Sequence, residues 1–189
     1  EWKDNKLFIE GLEYPIPKQP PKKEMINHNL PKKDQVWVRD YSYENFDWSD
    51  GWDERLEDNV EQLNYIVREI NRLYNGCWVL INGEPVYLNN LMYFFLQWFM
   101  LEDGEYPQFR DSALYYYRFM EICDRAKLCA GDTLLKARRL GATTMTLSAL
   151  QLLLLINTNS NFGIVSNKGE SASKAFQRAV KSMGNLPGF

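Results

Sequence analysis

The chain is poor in the residues that carry most enzyme chemistry. It has one histidine, His28, and three cysteines, Cys77, Cys123 and Cys129, in 189 residues. A lone histidine leaves no basis for a histidine-ligated metal site or for a serine or cysteine triad. The cysteines are odd in number and form no C-x-x-C pair, which reads as three reduced thiols in a cytosolic protein. Long apolar runs are also missing. LMYFFLQWFML (91–101) is interrupted by Gln97, and LQLLLLI (150–156) is short; both fall below the ~18 apolar residues that a membrane-spanning helix requires, so no membrane partner is expected. The charged, proline-rich start does not have the form of a signal peptide. With Glu1 in first place, the chain reads as processed, trimmed or partial.

Charge of one sign is scarce overall but not locally. The net charge of −3 argues against a general polyanion binder. Residues 1–109 hold 11 Lys/Arg against 20 Asp/Glu, whereas residues 110–189 hold 11 against 5. The second half therefore suits a phosphate-bearing ligand, although a solvated basic surface gives the same count.

The chain divides into three stretches. Residues 1–53 form a proline- and lysine-rich arm, expected to be extended and without a core of its own, followed by the acidic, aromatic run YSYENFDWSDGWD (41–53). That run either packs over its own domain or docks on a neighbour. Residues 54–130 read as a mostly helical subdomain with a hairpin. Leu56, Val60, Leu63, Val67, Ile70 and Tyr74 repeat every three or four residues, which predicts one helix burying that stripe on its own domain, with Gly76 as its stop. WVLINGEPVYL (78–88) predicts a hairpin turning at Asn82-Gly83. Residues 91–101 predict a buried helix capped by Asn89 or Asn90, and Asp111 starts another. In residues 131–189, TLLKA (133–137) and NFGIVS (161–166) read as strands, TTMTLSALQLLLLIN (143–157) as a buried helix, and KGESASKAFQRAVKSM as the start of a further helix. The fold class is α/β: the start of a P-loop-type parallel-sheet core, preceded by the helical subdomain and the extended arm.

The motif that carries chemistry is KARRLGATT (136–144). Against the nucleotide loop G-x-x-x-x-G-K-[ST], Gly141 falls on the second glycine and Thr143 on the Ser/Thr, Lys136 replaces the first glycine, and Ala142 stands where the lysine belongs. Alone this is a poor match, and a tight turn with solvent-facing basic residues is the alternative. Its place between a strand and a helix is where backbone N–H groups and the helix dipole face an anion. Gly141 lets backbone approach phosphate oxygens. Thr143 offers a hydroxyl to Mg²⁺, Lys136 is long enough to reach back over phosphates, and Arg138 and Arg139 are further cations.

KARRLGATT, its apolar helix and NFGIVSNKGESASKAF resemble the ATPase domain of the large terminase subunit of tailed bacteriophages. NGEPVYLNNLMYFFLQWFML and PQFRD resemble the segment leading into it, so the likeness spans roughly residues 76–183. The resemblance implies that Lys136 and Arg138 bind phosphate and act in catalysis, and that Arg139 assists. It further implies that Gly141 and Thr144 shape the loop, that Ala137, Leu140 and Ala142 belong with them to the ATP-binding stretch, and that Thr143 is the Mg²⁺ ligand. In that family a glutamine or aromatic residue upstream contacts adenine. Gln97 and Tyr93 are the candidates, against a packing role in a buried helix. Phe109-Arg110-Asp111 is placed to bridge toward the nucleotide, with Asp111 equally a helix cap. The implied cofactors are ATP and Mg²⁺. The implied partners are duplex DNA, a portal protein, a small terminase subunit and further copies of the chain in a ring. The implied setting is the infected host cytoplasm, transiently at the procapsid portal vertex.

One family feature is missing: the apolar strand ending in Asp-Glu that orders Mg²⁺ and water. From 145 to 189 the sole acidic residue is Glu170. The sequence therefore reads as the amino-terminal part of a DNA-packaging ATPase, inactive alone and lacking the nuclease domain expected of the full-length protein. The rival readings are a helicase-like translocase and a non-enzymatic adaptor that binds a partner through its aromatic-acidic arm.

Overall fold

The computed structural model describes residues 2–3, 6–28, 37, 39–40, 42–46, 59–127 and 141–187. Within them the chain is mixed α/β, with two small sheets and five α-helices. Predicted strand 133–137 and motif residues Lys136, Ala137, Arg138, Arg139 and Leu140 lie outside the described residues, as do Leu56 and Cys129.

The arm is not wholly extended, contrary to the composition. KLFIEGLEY folds into strands β2 (Lys6–Ile9) and β3 (Leu12–Tyr14), with β1 (Trp2–Lys3) alongside. Glu10 and Gly11 both take positive φ, 49° and 80°, the two-residue turn whose twist suits a hairpin. The alternating side chains Leu7, Ile9 and Tyr14 form a small core with Tyr87 and Ile122. The prolines that suggested extension begin only at Pro15; the alternation before them decides the local structure.

A second sheet orders β4 (Asn27–His28), β5 (Cys77–Ile81) and β6 (Glu84–Leu88), with β4 parallel to β5 and β5 antiparallel to β6. The expected Asn82-Gly83 turn is present, at φ 52° and 82°. Asn89 accepts the Met92 amide at 3.1 Å and so caps α2 (Asn90–Gln97). This helix is buried almost all round and packs against α1 (Val60–Asn75), α3 (Asp111–Ala126) and α4 (Ala142–Ile156). α5 (Gly169–Met183) rests on α4. Within 41–53, Tyr43 and Phe46 pack inward, Tyr43 on Trp98 at 5.3 Å and Phe46 on Tyr65 at 5.5 Å between ring centroids.

Two expectations need correction. The stripe Val60, Leu63, Val67, Ile70 and Tyr74 faces solvent, while Gln62, Tyr65, Ile66 and Glu69 form the buried face. The reason is polar. Glu69 is 0% exposed and accepts from the Tyr93 hydroxyl at 2.5 Å and from Arg72 at 2.7 Å, which pins α1 to α2 by that face. Burial and then the Glu69 charge hold the Tyr93 hydroxyl well above its ordinary pKa, so it remains a donor. The second correction concerns 161–166. The run forms no strand among the described residues, and Val165 is 95% exposed. A buried parallel strand needs partners at its edges and cover on both faces, and the described residues supply no edge partner. A parallel P-loop core is therefore not formed within them.

Candidate functional site

α4 begins where the motif ends. Gly141 caps it at φ 75°, a left-handed conformation that costs a non-glycine residue about 1–2 kcal/mol. A Cβ there would meet nothing within 4 Å, so backbone conformation, not crowding, calls for glycine. Among the described residues no side chain caps this end. The first-turn N–H groups have no intrahelical acceptor at any helix start, and with the helix dipole they favour an anion.

This end lines a cleft of about 640 Å³, to which α4 contributes Gly141 and Thr144. The loop before α3 brings Tyr106, Gln108 and Arg110 into the same cleft, and the arm brings Arg39. The Arg39 guanidinium lies 3.2 Å from the Tyr106 ring centroid, and its Nε donates to the Gln97 carbonyl at 2.6 Å. That stack holds a cation over an aromatic face in a mostly buried position. Asp103 and Glu105 also line the cleft, fixed in a turn where Asp103 Oδ1 accepts the Glu105 amide at 3.1 Å. A second cavity of about 400 Å³ shares Leu101, Asp103 and Thr144, with Arg178 on its wall paired to Glu102 at 2.7 Å. The site thus combines an open helix start, two arginines and two carboxylates, which suits an anion carried together with a cation rather than a bare polyanion.

The expected site residues separate in space. Gly141 and Thr144 line the cleft, Ala142 is buried, and Thr143 is exposed at the first turn of α4. Gln97 does not line it. Its side chain is committed to the arm: Oε1 accepts the Asp40 amide at 3.1 Å, and Nε2 donates to the Asp40 carbonyl at 2.8 Å. Tyr93 is likewise engaged with Glu69. Of Phe109-Arg110-Asp111, Arg110 lines the cleft, Phe109 is buried, and Asp111 opens α3. Arg39, Tyr106 and Gln108 were not foreseen. Tyr106 and Gln108 lie two to four residues from Arg110, so their loop was within view. Arg39 gave no signal, because it reaches the cleft from the arm, about a hundred residues before the motif.

His28 lies behind this cleft. Its ring is 2% exposed and stacked on Trp37 at 3.7 Å, and among the described residues neither ring nitrogen has a hydrogen-bond partner. Both residues border a cavity of about 40 Å³ that Arg72 and Asp40 also line. Burial, then the Arg72 charge, pull the imidazole down to about 4. The nearby Cys77 thiol is pushed up to about 12, first by burial, which makes it unreactive at neutral pH. Among the described residues no group of three or more His, Cys, Asp or Glu side chains is placed to hold a metal ion, and no helix is long and apolar enough to cross a membrane. Comparison with known protein families, known proteins and solved structures finds no match to this chain.

Proposed function

We propose that the chain is the amino-terminal part of a viral DNA-packaging motor ATPase of the large-terminase type, and that the cleft at the start of α4 receives Mg·ATP. The observation that carries this reading is the coincidence of the motif with the cleft. Gly141 is left-handed where a phosphate loop needs it, and the uncapped helix it starts opens on a cavity within the roughly 300–1,000 Å³ range of small-molecule sites.

The residues fit the group. Arg39 and Arg110 provide cations beside the helix start, and Tyr106 provides a flat face for a base. Mg²⁺ keeps most of its ligands as water and phosphate, so a hydroxyl from Thr143 or Thr144 is a sufficient protein contribution and a cage of carboxylates is not required. Bound Mg·ATP would supply the phosphoryl group whose transfer drives DNA movement. This chain's own residues bind and orient it, with Lys136, Arg138 and Arg139 as the remaining cations of the loop. The basic second half suits duplex DNA, and the portal, the small subunit and a ring of copies follow from the same reading.

The exposed apolar faces around α4 and α5 also support it. Leu154 and Leu155 on α4, Phe176 and Val180 on α5, and Val165 between them are exposed; these are the surfaces that flanking helices present to a parallel sheet. The adaptor reading loses part of its surface, since Tyr43 and Phe46 pack on their own domain. The test is a titration of the chain with Mg·ATP into the millimolar range, followed by tryptophan fluorescence. Weak saturable binding that is lost in Lys136→Ala is expected, with phosphate release at background, because the acidic pair is missing. No binding, or binding indifferent to Lys136→Ala, refutes the site and leaves the adaptor. Robust turnover refutes the incomplete enzyme.

A further inference from the structure

Helix α5 acts on the cleft at the start of α4 without lining it. Between the two cavities runs the stretch 100–105. Leu101 and Asp103 line both, Glu105 lines the larger and Glu102 the smaller. The stretch closes on itself as a turn: the Leu101 amide donates to the Glu105 carbonyl at 2.8 Å and the Gly104 amide to the Leu101 carbonyl at 3.1 Å. Its hydrogen bonds and ion pairs to other elements, among the described residues, come from α5. Ser182 Oγ, fully buried, accepts the Met100 amide at 3.1 Å. Lys181 Nζ donates to the Glu102 carbonyl, and Arg178 pairs with the Glu102 carboxylate at 2.7 Å. We propose that Arg178, Lys181 and Ser182 are positioning residues of the cleft. They hold the acidic turn beside the start of α4, so that the cleft accepts a nucleotide together with its magnesium and disfavours the bare anion. The proposal rests on the nucleotide reading of the cleft and adds to it the part played by α5.

Charge sets the direction of the effect. The cleft presents Arg39 and Arg110 together with Asp103 and Glu105. Arg178 and Lys181 are directed to Glu102, whereas Asp103 and Glu105 have no ion pair among the described residues. ATP without metal meets these two carboxylates as like charges, and a bound magnesium ion removes most of that repulsion. Discrimination between the two forms therefore depends on where the carboxylates are held. The three bonds differ in weight. The Arg178–Glu102 pair is exposed, and such pairs contribute little alone. The Ser182 bond is buried, and its loss leaves the Met100 amide without a partner. Ser182 is the main fastening and Arg178 the guide. Helix α5 is fixed in turn from α4, where Gln151 Nε2 donates to the Ala179 carbonyl at 2.5 Å. The helix that brings Thr144 to the cleft thus also sets its acidic wall, through α5.

Tryptophan fluorescence titrations of the chain with ATP, in magnesium and in EDTA, test the proposal, together with hydrogen exchange at the Leu101 and Glu105 amides. The native chain is expected to bind the magnesium form more tightly. In the double variant Ser182→Ala, Arg178→Met the ratio of the two affinities is expected to fall on the order of fivefold, the scale of one charge repulsion across a partly wet cleft, with faster exchange at both amides. Arg178→Lys keeps the cation, and Lys174→Ala removes a side chain whose partner Glu170 lies on α5 itself; both are expected to keep the native ratio. A native ratio in the double variant, an equal loss of both forms, or exchange that does not quicken overturns the proposal and leaves the nucleotide site in place. A native chain that binds neither form overturns the nucleotide reading, and this proposal with it. If the double variant loses its far-UV circular dichroism, Arg178→Met alone, at an exposed position, decides: a smaller fall in the ratio supports the proposal, and an unchanged ratio overturns it.

Discussion

Acid should weaken this fold through His28 before it titrates most carboxylates. The ring is buried against Trp37, its nitrogens have no hydrogen-bond partner among the described residues, and Arg72 lies on the same cavity. Protonation would place a second cation there. Of the facing carboxylates, Asp40 already accepts from Ser42 Oγ at 2.5 Å and Arg68 at 3.0 Å, and Glu69 is bonded to Tyr93 and Arg72. Glu24 is an exposed residue at the rim of the cavity. In the unfolded chain the imidazole titrates near 6.5; in the fold it titrates near 4. The folded value is depressed, so the unfolded state binds the proton first. The contribution of His28 is therefore complete above 6.5 and is lost as pH falls through the window from 6.5 to 4. At about 1.4 kcal/mol per pH unit the full loss is about 3 kcal/mol, a large share of the stability of a domain this size. The assay is urea unfolding at half-unit steps from pH 7.5 to 4, for the native chain and for His28→Phe, which keeps the stack on Trp37 and cannot titrate. Carboxylate effects are common to both, so the difference between the two curves isolates the histidine. That difference should be flat above pH 6.5 and widen below it. Parallel curves throughout the window would refute the buried, unpartnered imidazole.

Glu69→Ala removes the acceptor of two buried donors and leaves Arg72 without its partner, so urea unfolding should show a loss of about 3–5 kcal/mol. Replacing both partners, Glu69→Leu with Arg72→Met, should recover much of it. Gln97→Leu strips the Asp40 amide and carbonyl of their partners; a loss of about 2 kcal/mol and faster hydrogen exchange at the Asp40 amide are expected, with affinity for Mg·ATP little changed. Equal stability and altered base preference would instead return Gln97 to the nucleotide. For the metal hydroxyl, Thr143→Val and Thr144→Val should be compared in the Mg²⁺ dependence of nucleotide binding. The residue lining the cleft, Thr144, should show the larger effect, and dependence on Thr143 alone would mean that the loop reorders when nucleotide binds.

Where a few neighbouring residues determine structure, the sequence was legible. Asn82-Gly83 specifies a turn with two positive φ angles, Asn89 offers a cap to an apolar run, and the strand-like arm around Glu10-Gly11 obeys the same rule, although the prolines after it drew attention away. The site was legible only on one wall. Gly141 and Thr144 are close in sequence, as are Tyr106, Gln108 and Arg110, but their meeting depends on how α4 and α3 pack on α2. Arg39 depends further on Gln97, whose amide binds the arm at Asp40 and whose carbonyl receives the guanidinium. No local pattern encodes such a contact. Strand 161–166 failed for a related reason: a short apolar run predicts a strand only if something pairs with it, and pairing is a long-range property.

Helix α1 shows the limit most clearly, and the limit is informative. An amphipathic pattern reports that one face is apolar; it does not report which face is attached. Here the attached face is held by directional bonds, from Tyr93 to Glu69 and from Glu69 to Arg72, with Tyr65 and Ile66 filling the space around them. A buried carboxylate is a costly anchor unless its partners are complete, and a helix whose apolar face was needed for its own core would have no use for one. Anchoring by the polar face leaves the apolar face exposed among the described residues. The expectation that the stripe builds the core and the finding that it is exposed therefore differ by a single cause, the Glu69 network. Glu69→Ala should therefore loosen the docking of α1 on α2, and hydrogen exchange along α1 should quicken with it.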